Sequence, residues 1–193
     1  MASPPNTLLT EEEYLAIERA AEFKSEFHDG QMYAMSGGSL KHSILANRIG
    51  SILDRLAPAG CIAFNSDIRI KVASSGLYTY PDCGVFCGKP LYADGHRDAI
   101  LNPVVIVEVL SPSSERYDRG RKFAAYRTIP TLREYLLISQ SEHYVEQFSK
   151  QEDGNWLLRS HSGDQAVVVI PSLGVEIPLA ELYASVFDLD SEE

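Results

Sequence analysis

Glu108 stands inside an apolar run, Val104-Val105-Ile106-Val107-Glu108-Val109-Leu110, whose β-branched content reads as a fully buried strand. An unpaired carboxylate there costs several kcal/mol, so the fold must give it a partner or a cation. Upstream, Tyr80-Pro81-Asp82 opens another β-rich run, and downstream Lys122 lies in a helical stretch. Side chains alternate along a strand, so Val104, Ile106, Glu108 and Leu110 share one face, and Tyr80, Asp82, Gly84 and Phe86 share another set. If the two strands are neighbours, Asp82 and Glu108 converge near one end of the sheet. Paired carboxylates suit Mg²⁺ or Mn²⁺, hard cations that take oxygen ligands and keep several waters. Such an ion lowers the pKa of a water and neutralises charge on a phosphate, while a nearby lysine orients the water or stabilises the transition state. Two strand carboxylates and a lysine are thus the parts for metal-dependent phosphodiester cleavage.

The elements that must position these groups can be read in order. Thr10 and Glu13 form a capping box, which predicts a short helix to about Ala21. Phe23 to His28 and Gln31 to Met35 flank Asp29-Gly30, a hairpin signal with a two-residue turn. Gly37-Gly38-Ser39 then breaks the chain before a long helix to about Leu56, with Leu45, Ile49, Ile52, Leu53 and Leu56 as its core stripe. Pro58 and Gly60 end it. Three strands are expected next: Cys61 to Val72, Tyr78 to Cys87, and Val104 to Ser111, the last two separated by a polar loop containing Asp94-Gly95. Ser114 is the expected N-cap of a helix from about Glu115 to Thr128, which Pro130 stops. Tyr135 to Ser139, Tyr144 to Lys150, Trp156 to His161 and Ala166 to Val169 read as further strands, and Leu179 to Val186 as a final short helix. This order implies an α/β (α+β) architecture, a mixed sheet flanked by helices. Residues 1–8 read as a disordered N-terminus, 9–187 as one domain and 188–193 as an acidic, solvated tail.

Composition narrows the classes. The 193 residues are 45% hydrophobic, which suits one domain with a real core. No apolar run is long enough for a membrane span, and no basic stretch followed by an apolar one marks a secretory signal. The odd cysteine count (Cys61, Cys83 and Cys87, all in strand-like contexts) reads as buried free thiols in a reducing cytoplasm. Cys83 and Cys87 share a strand face, but a zinc site needs more ligands. The net charge of -10 argues against loose electrostatic binding to nucleic acid, although it leaves room for a local basic cleft.

A longer string of residues is similar to a known family. Tyr80-Pro81-Asp82, Asn102-Pro103, Val107-Glu108-Val109-Leu110-Ser111-Pro112-Ser113, and Tyr117-Asp118-Arg119-Gly120 with Lys122 and Tyr126 resemble the Uma-type restriction endonucleases of the PD-(D/E)XK nuclease superfamily. Glu26 with Asp29-Gly30, Ser36-Gly37-Gly38 with His42, and Arg133-Glu134-Tyr135-Leu136 add to the match, which spans about Thr10 to Val186. The resemblance implies a restriction-endonuclease-like fold and Mg²⁺- or Mn²⁺-dependent cleavage of DNA, with Asp82 and Glu108 on the metal. It departs from the superfamily pattern at one point: two residues after Glu108, where the pattern has lysine, stands Leu110. Several branches supply that lysine from the following helix, and Lys122 is the candidate here. Asp118 and Tyr126 lie four residues to either side of it on one helical face. The plainer reading of Lys122 is a solvated residue of the basic run Arg119-Gly120-Arg121-Lys122.

The remaining candidates carry similar alternatives. His42 faces inward with the core stripe, as a site residue or a satisfied core histidine. Glu26 alternates with Phe27; it either closes the site from the hairpin or is a surface charge. Gly37-Gly38-Ser39 suits an anion site at a helix start, or a turn plus N-cap. Arg119, Arg121 and Ser111 are candidate phosphate contacts, or else a solvated helix face and a turn residue. The expected activity is a cytoplasmic Mg²⁺-dependent endodeoxyribonuclease, a homodimer because duplex cleavage needs two sites. The rivals are an inactive nuclease-fold module for binding or assembly, and a metal-dependent hydrolase of small phosphodiesters.

Overall fold

The computed structural model describes residues 8–35, 37–93 and 97–190. Most of the expected N-terminal disorder, Ser36, the Asp94-Gly95 loop and the last three residues of the acidic tail lie outside the described residues.

Helix α1 (Glu11–Ala20) starts at the Thr10–Glu13 capping box, and strands β1 (Ser25–His28) and β2 (Gln31–Ala34) form the hairpin around Asp29-Gly30. Both turn residues have positive φ, 50° and 77°, as a tight hairpin turn requires. Helix α2 (Leu40–Leu56) follows; its N-cap Ser39 accepts from the His42 backbone N–H, and Leu45, Ile49, Ile52 and Leu53 are buried.

Two expected strands are each divided in the structure. Cys61 to Val72 becomes β3 (Cys61–Asn65) and β4 (Arg69–Val72), which lie in different sheets. The break is an Asx turn, in which Asn65 Oδ1 accepts from the Asp67 N–H at 3.0 Å. Tyr78 to Cys87 becomes β5 (Leu77–Thr79) and β6 (Cys83–Cys87), again in different sheets. Here Pro81 has no N–H for a ladder, and the chain crosses from sheet to sheet at Tyr80-Pro81-Asp82. Short β7 (Ala99–Ile100) was not expected; β8 (Pro103–Val109) is the buried strand that carries Glu108.

The predicted helix from Glu115 is also interrupted. It consists of α3 (Glu115–Tyr117), a π-helical turn (Asp118–Lys122) and α4 (Phe123–Tyr126). Ser114 stands at the N-cap position but makes no capping bond; its backbone is already helical and its hydroxyl meets Ser111 Oγ at 2.9 Å. Strands β9 (Glu134–Ile138), β10 (Tyr144–Lys150) and β11 (Trp156–Ser162) complete the main sheet. A two-stranded ribbon of β12 (Val167–Ile170) and β13 (Val175–Pro178) follows, and α5 (Leu179–Leu182) is shorter than the expected helix.

The main sheet has six strands in the order β11-β10-β9-β8-β6-β3, and a second sheet has five in the order β2-β1-β5-β4-β7. β8 is central, antiparallel to β6 and parallel to β9, and core clusters cover both its faces. Its odd face, Val105, Val107 and Val109, packs with α2, β12–β13 and α5. Its even face, Ile106 and Leu110, packs with α4 and with Ile70, Val72 and Leu77 of the second sheet. Glu108 belongs to this even face.

The cysteine expectation is corrected. Cys61 and Cys87 stand directly opposite each other on β3 and β6 and form a disulfide, and only Cys83 is a buried free thiol. The antiparallel register, invisible in the one-dimensional spacing, brings the pair together.

Candidate active site

The crossing at Pro81 places Asp82 one residue before Cys83, which pairs with Val107. The same antiparallel register sets Asp82 beside Glu108. The Val109 N–H donates to Asp82 Oδ2 at 2.7 Å, which holds the carboxylate across the strand end. His42, from the first turn of α2, reaches the same oxygen with Nε2 at 3.2 Å. Gly38 makes that approach possible: a Cβ there would lie 2.7 Å from His42 Nδ1.

Lys122 points inward from the π turn. Its Nζ lies 2.9 Å from Glu108 Oε1, 3.1 Å from Glu26 Oε1 and 3.6 Å from Asp118 Oδ1. Lys122 is 5% exposed and Glu108 3%. Tyr126 donates to Glu108 Oε1 at 2.9 Å, and Thr79 donates to Glu26 Oε1. Glu26, whose direction the hairpin alternation left open, therefore points in. The π turn keeps Asp118 and Lys122 on the buried side, with Arg121 exposed. Single π turns inside helices recur at functional sites because they re-aim side chains.

These groups shift one another's protonation. Burial pushes the Glu108 carboxyl well up, and the like charges of Asp118 and Asp82 add to that, against the pull of Lys122. Asp118 is raised by burial too, opposed by Lys122 and by a hydrogen bond from Ser114. Burial alone would lower Lys122, but Glu108, Glu26 and Asp118 outweigh it, so the amine stays charged. The hydrogen bond to Asp82 raises His42 against its burial. Burial keeps the Tyr126 phenol neutral and a donor.

Glu26, His42, Asp82, Glu108, Asp118 and Lys122 line one cavity of about 760 Å³. Ser111 and Arg121 also line it. Arg119 departs from the expectation of a phosphate contact: it pairs with Glu115 at 3.0 Å and with Glu146, and does not line the cavity. Ser111 bonds to Ser113 and Ser114 within its own turn.

The donor set fits a hard divalent ion. Four acidic side chains (Glu26, Asp82, Glu108 and Asp118) gather around Lys122 and His42 and supply hard oxygen donors. The contacts described fall on Oε1 of Glu108 and Oδ2 of Asp82, one oxygen of each carboxylate. Among the described residues no three His, Cys, Asp or Glu are gathered as ready metal ligands. Carboxylate oxygens are the donors that Mg²⁺ or Mn²⁺ takes, and in such sites one or two carboxylates act together with water and phosphate.

Comparison with known proteins adds to this geometry. A match to the family Uma2, described as "Putative restriction endonuclease", covers residues 11–180. The chain belongs to the Uma2 family. An uncharacterized protein of Synechocystis sp. is 36% identical over 187 residues, 94% of each chain. A second uncharacterized Synechocystis protein is 40% identical over 166 residues, 83% of this chain and 92% of its own length. A crystal structure described as a "putative nuclease belonging to DUF820" from Anabaena variabilis has a TM-score of 0.75 at 19% identity. It covers 92% of this chain and 99% of that one, and so shares the restriction-endonuclease-like α+β fold expected from the resemblance. In this Uma2 chain Leu110, 6% exposed, belongs to the core cluster where the superfamily pattern has lysine, and the nearby ammonium comes from Lys122.

Sequence reasoning missed Thr79, which orients Glu26, and did not foresee that Tyr126 would bond Glu108 directly. The spacing of Asp118, Lys122 and Tyr126 was a usable signal. Thr79 had none beyond its place before Tyr80-Pro81-Asp82.

Proposed function

We propose that this chain is a divalent-metal-dependent endonuclease that hydrolyses phosphodiester bonds in DNA. The observation that carries the reading is the Lys122 ammonium, held 2.9 Å from Glu108 and 3.1 Å from Glu26 in a cavity that Asp82 also lines. Asp82 and Glu108 would hold Mg²⁺ or Mn²⁺, which supplies charge neutralisation at the phosphate and makes water more acidic. Lys122 keeps its proton, so it acts as an electrostatic and water-positioning group, not as a base. Glu26 and Tyr126 fix the ammonium and the Glu108 carboxylate, and His42 steadies Asp82. Arg121, beside Lys122 in the basic run, also lines the cavity and suits a phosphate contact. Cutting both strands of a duplex takes two such sites, so the active unit on this reading is a homodimer. Family membership and the description of the Anabaena structure as a "putative nuclease" support the reaction class.

The test is incubation of wild type and Glu108→Ala with plasmid DNA, single-stranded DNA and a small phosphodiester, with Mn²⁺ or Mg²⁺ and with chelator. Metal-dependent cleavage of DNA by wild type alone is expected. Turnover of only the small ester would point to the rival hydrolase, and no turnover together with no Mn²⁺ binding to a binding or assembly module.

A further inference from the structure

Glu18 lies in the last turns of α1, buried at 7% exposure, and contributes nothing to the cavity wall. Its carboxylate nonetheless joins two segments that do. The Ser25 backbone N–H donates to both its oxygens, at 3.0 and 3.1 Å, and the Tyr80 hydroxyl donates to Oε1 at 2.7 Å. Ser25 immediately precedes Glu26, and Tyr80 is separated from Asp82 only by Pro81. Beyond Glu18, the two segments meet at one β1–β5 register position, Phe27 opposite Tyr78, and through the Thr79 hydroxyl, which donates to Glu26.

Neighbouring contacts make the clasp stiff. Tyr14, one turn earlier on α1, donates to the Ser25 carbonyl at 2.7 Å, so α1 grips both backbone polar groups of that residue. The Arg69 guanidinium packs 5.8 Å from the Tyr80 ring centroid and is anchored by Asp98. Burial, then the bond to Glu18, holds the Tyr80 phenol far above its ordinary pKa, so it stays protonated and donates. A buried carboxylate is costly, and directional bonds to two separate segments give it a use that apolar packing cannot.

We propose that Glu18 is a positioning residue of the active site, whose carboxylate sets the spacing between Glu26 and Asp82 by holding Ser25 and Tyr80 together. The inference rests on reading the cavity as a metal-dependent nuclease site.

The test uses Glu18→Ala, Glu18→Gln and Tyr80→Phe in the full chain, with two readouts. The first is the amide resonance of Val109 in metal-free protein, which reports on the Asp82 oxygen it bonds. The second is Mn²⁺-dependent plasmid cleavage, resolved into kcat and KM. Glu18→Ala and Tyr80→Phe should move the Val109 amide and lower kcat roughly 10- to 100-fold with little change in KM, the scale of a misplacement near 1 Å. Glu18→Gln should recover most of both, because one amide oxygen can accept from Ser25 and Tyr80. An unmoved Val109 amide and unchanged kcat in Glu18→Ala and Tyr80→Phe would overturn the inference. Should Glu18→Ala not fold, Tyr80→Phe, which loses only a hydroxyl, is judged by the same criteria. If wild type cleaves no phosphodiester, the nuclease reading fails while the Val109 amide still decides on the clasp.

Discussion

Lys122 contacts three carboxylates at once, and its neighbours leave it no freedom to act as a surface lysine. Lys122→Met should therefore lower the cleavage rate by about 10² or more, the usual size of losing one electrostatic stabiliser of a transition state. Lys122→Arg should not restore it, because a planar guanidinium cannot reproduce a compact ammonium among three carboxylates. A Met variant that cuts as fast as wild type would remove Lys122 from the mechanism. Glu108 predicts a second, opposite effect on stability. Its folded pKa is raised by burial, so the stability it allows is fully present below the unfolded value of about 4.3 and is lost as pH rises towards the folded value. Glu108→Gln does not titrate and escapes that loss. In chelator it should melt close to wild type near pH 4 and higher than wild type at pH 8. A gain of about 1 kcal/mol would show as roughly 2–4 °C in a chain of this size. Activity should be lost in the same variant, so thermal melts at the two pH values and a cleavage assay check both halves.

The elements matter because they interrupt themselves at the site. Pro81 divides one expected strand and sends Asp82 to the main sheet, and the π turn divides one expected helix and aims Lys122 at β8. Gly120 sits in that turn with open space where a Cβ would point and without a positive φ. Glycine in a helical segment costs about 0.5–1 kcal/mol relative to alanine through backbone entropy. Gly120→Ala should accordingly stabilise the protein by about that amount in urea titration and leave cleavage near wild type. A loss of cleavage there would mean that the turn must flex during the reaction.

At the scale of the molecule, two sheets meet around the even face of β8, and the disulfide lies at the far edge of the main sheet, between β3 and β6. Cys61 and Cys87 are 26 residues apart, and closing a loop of that length restrains the unfolded chain by about 3.5 kcal/mol in the chain-entropy account. Reductant should therefore lower the urea midpoint of wild type. The double variant Cys61→Ser, Cys87→Ser should start at the reduced midpoint and not respond to reductant. Equal midpoints for oxidised and reduced wild type would show that the bond adds nothing to the fold. The charge of -10 also takes on a spatial meaning: Arg119 is consumed by Glu115 and Glu146, while Arg121 faces the cavity, so the basic run offers a narrow contact rather than a broad basic surface.

Local chemistry by itself determined the capping box of α1, the Asp29-Gly30 turn, the core stripe of α2 and the burial of Glu108, because each depends on residues a few positions apart. The same local logic let Asp82 and Glu108 converge on condition that their strands pair, as β6 and β8 do, and grouped Asp118, Lys122 and Tyr126 on one face. Continuous runs of β-forming residues hid the sheet changes at Asn65 to Asp67 and at Pro81, because propensity does not say which sheet a strand joins. Only tertiary structure could turn Glu26 inward, oppose Cys61 to Cys87 and bring Glu18 to Tyr80. Those outcomes depend on register and on which strands become neighbours, and a buried charge finds its partner only after distant segments have packed.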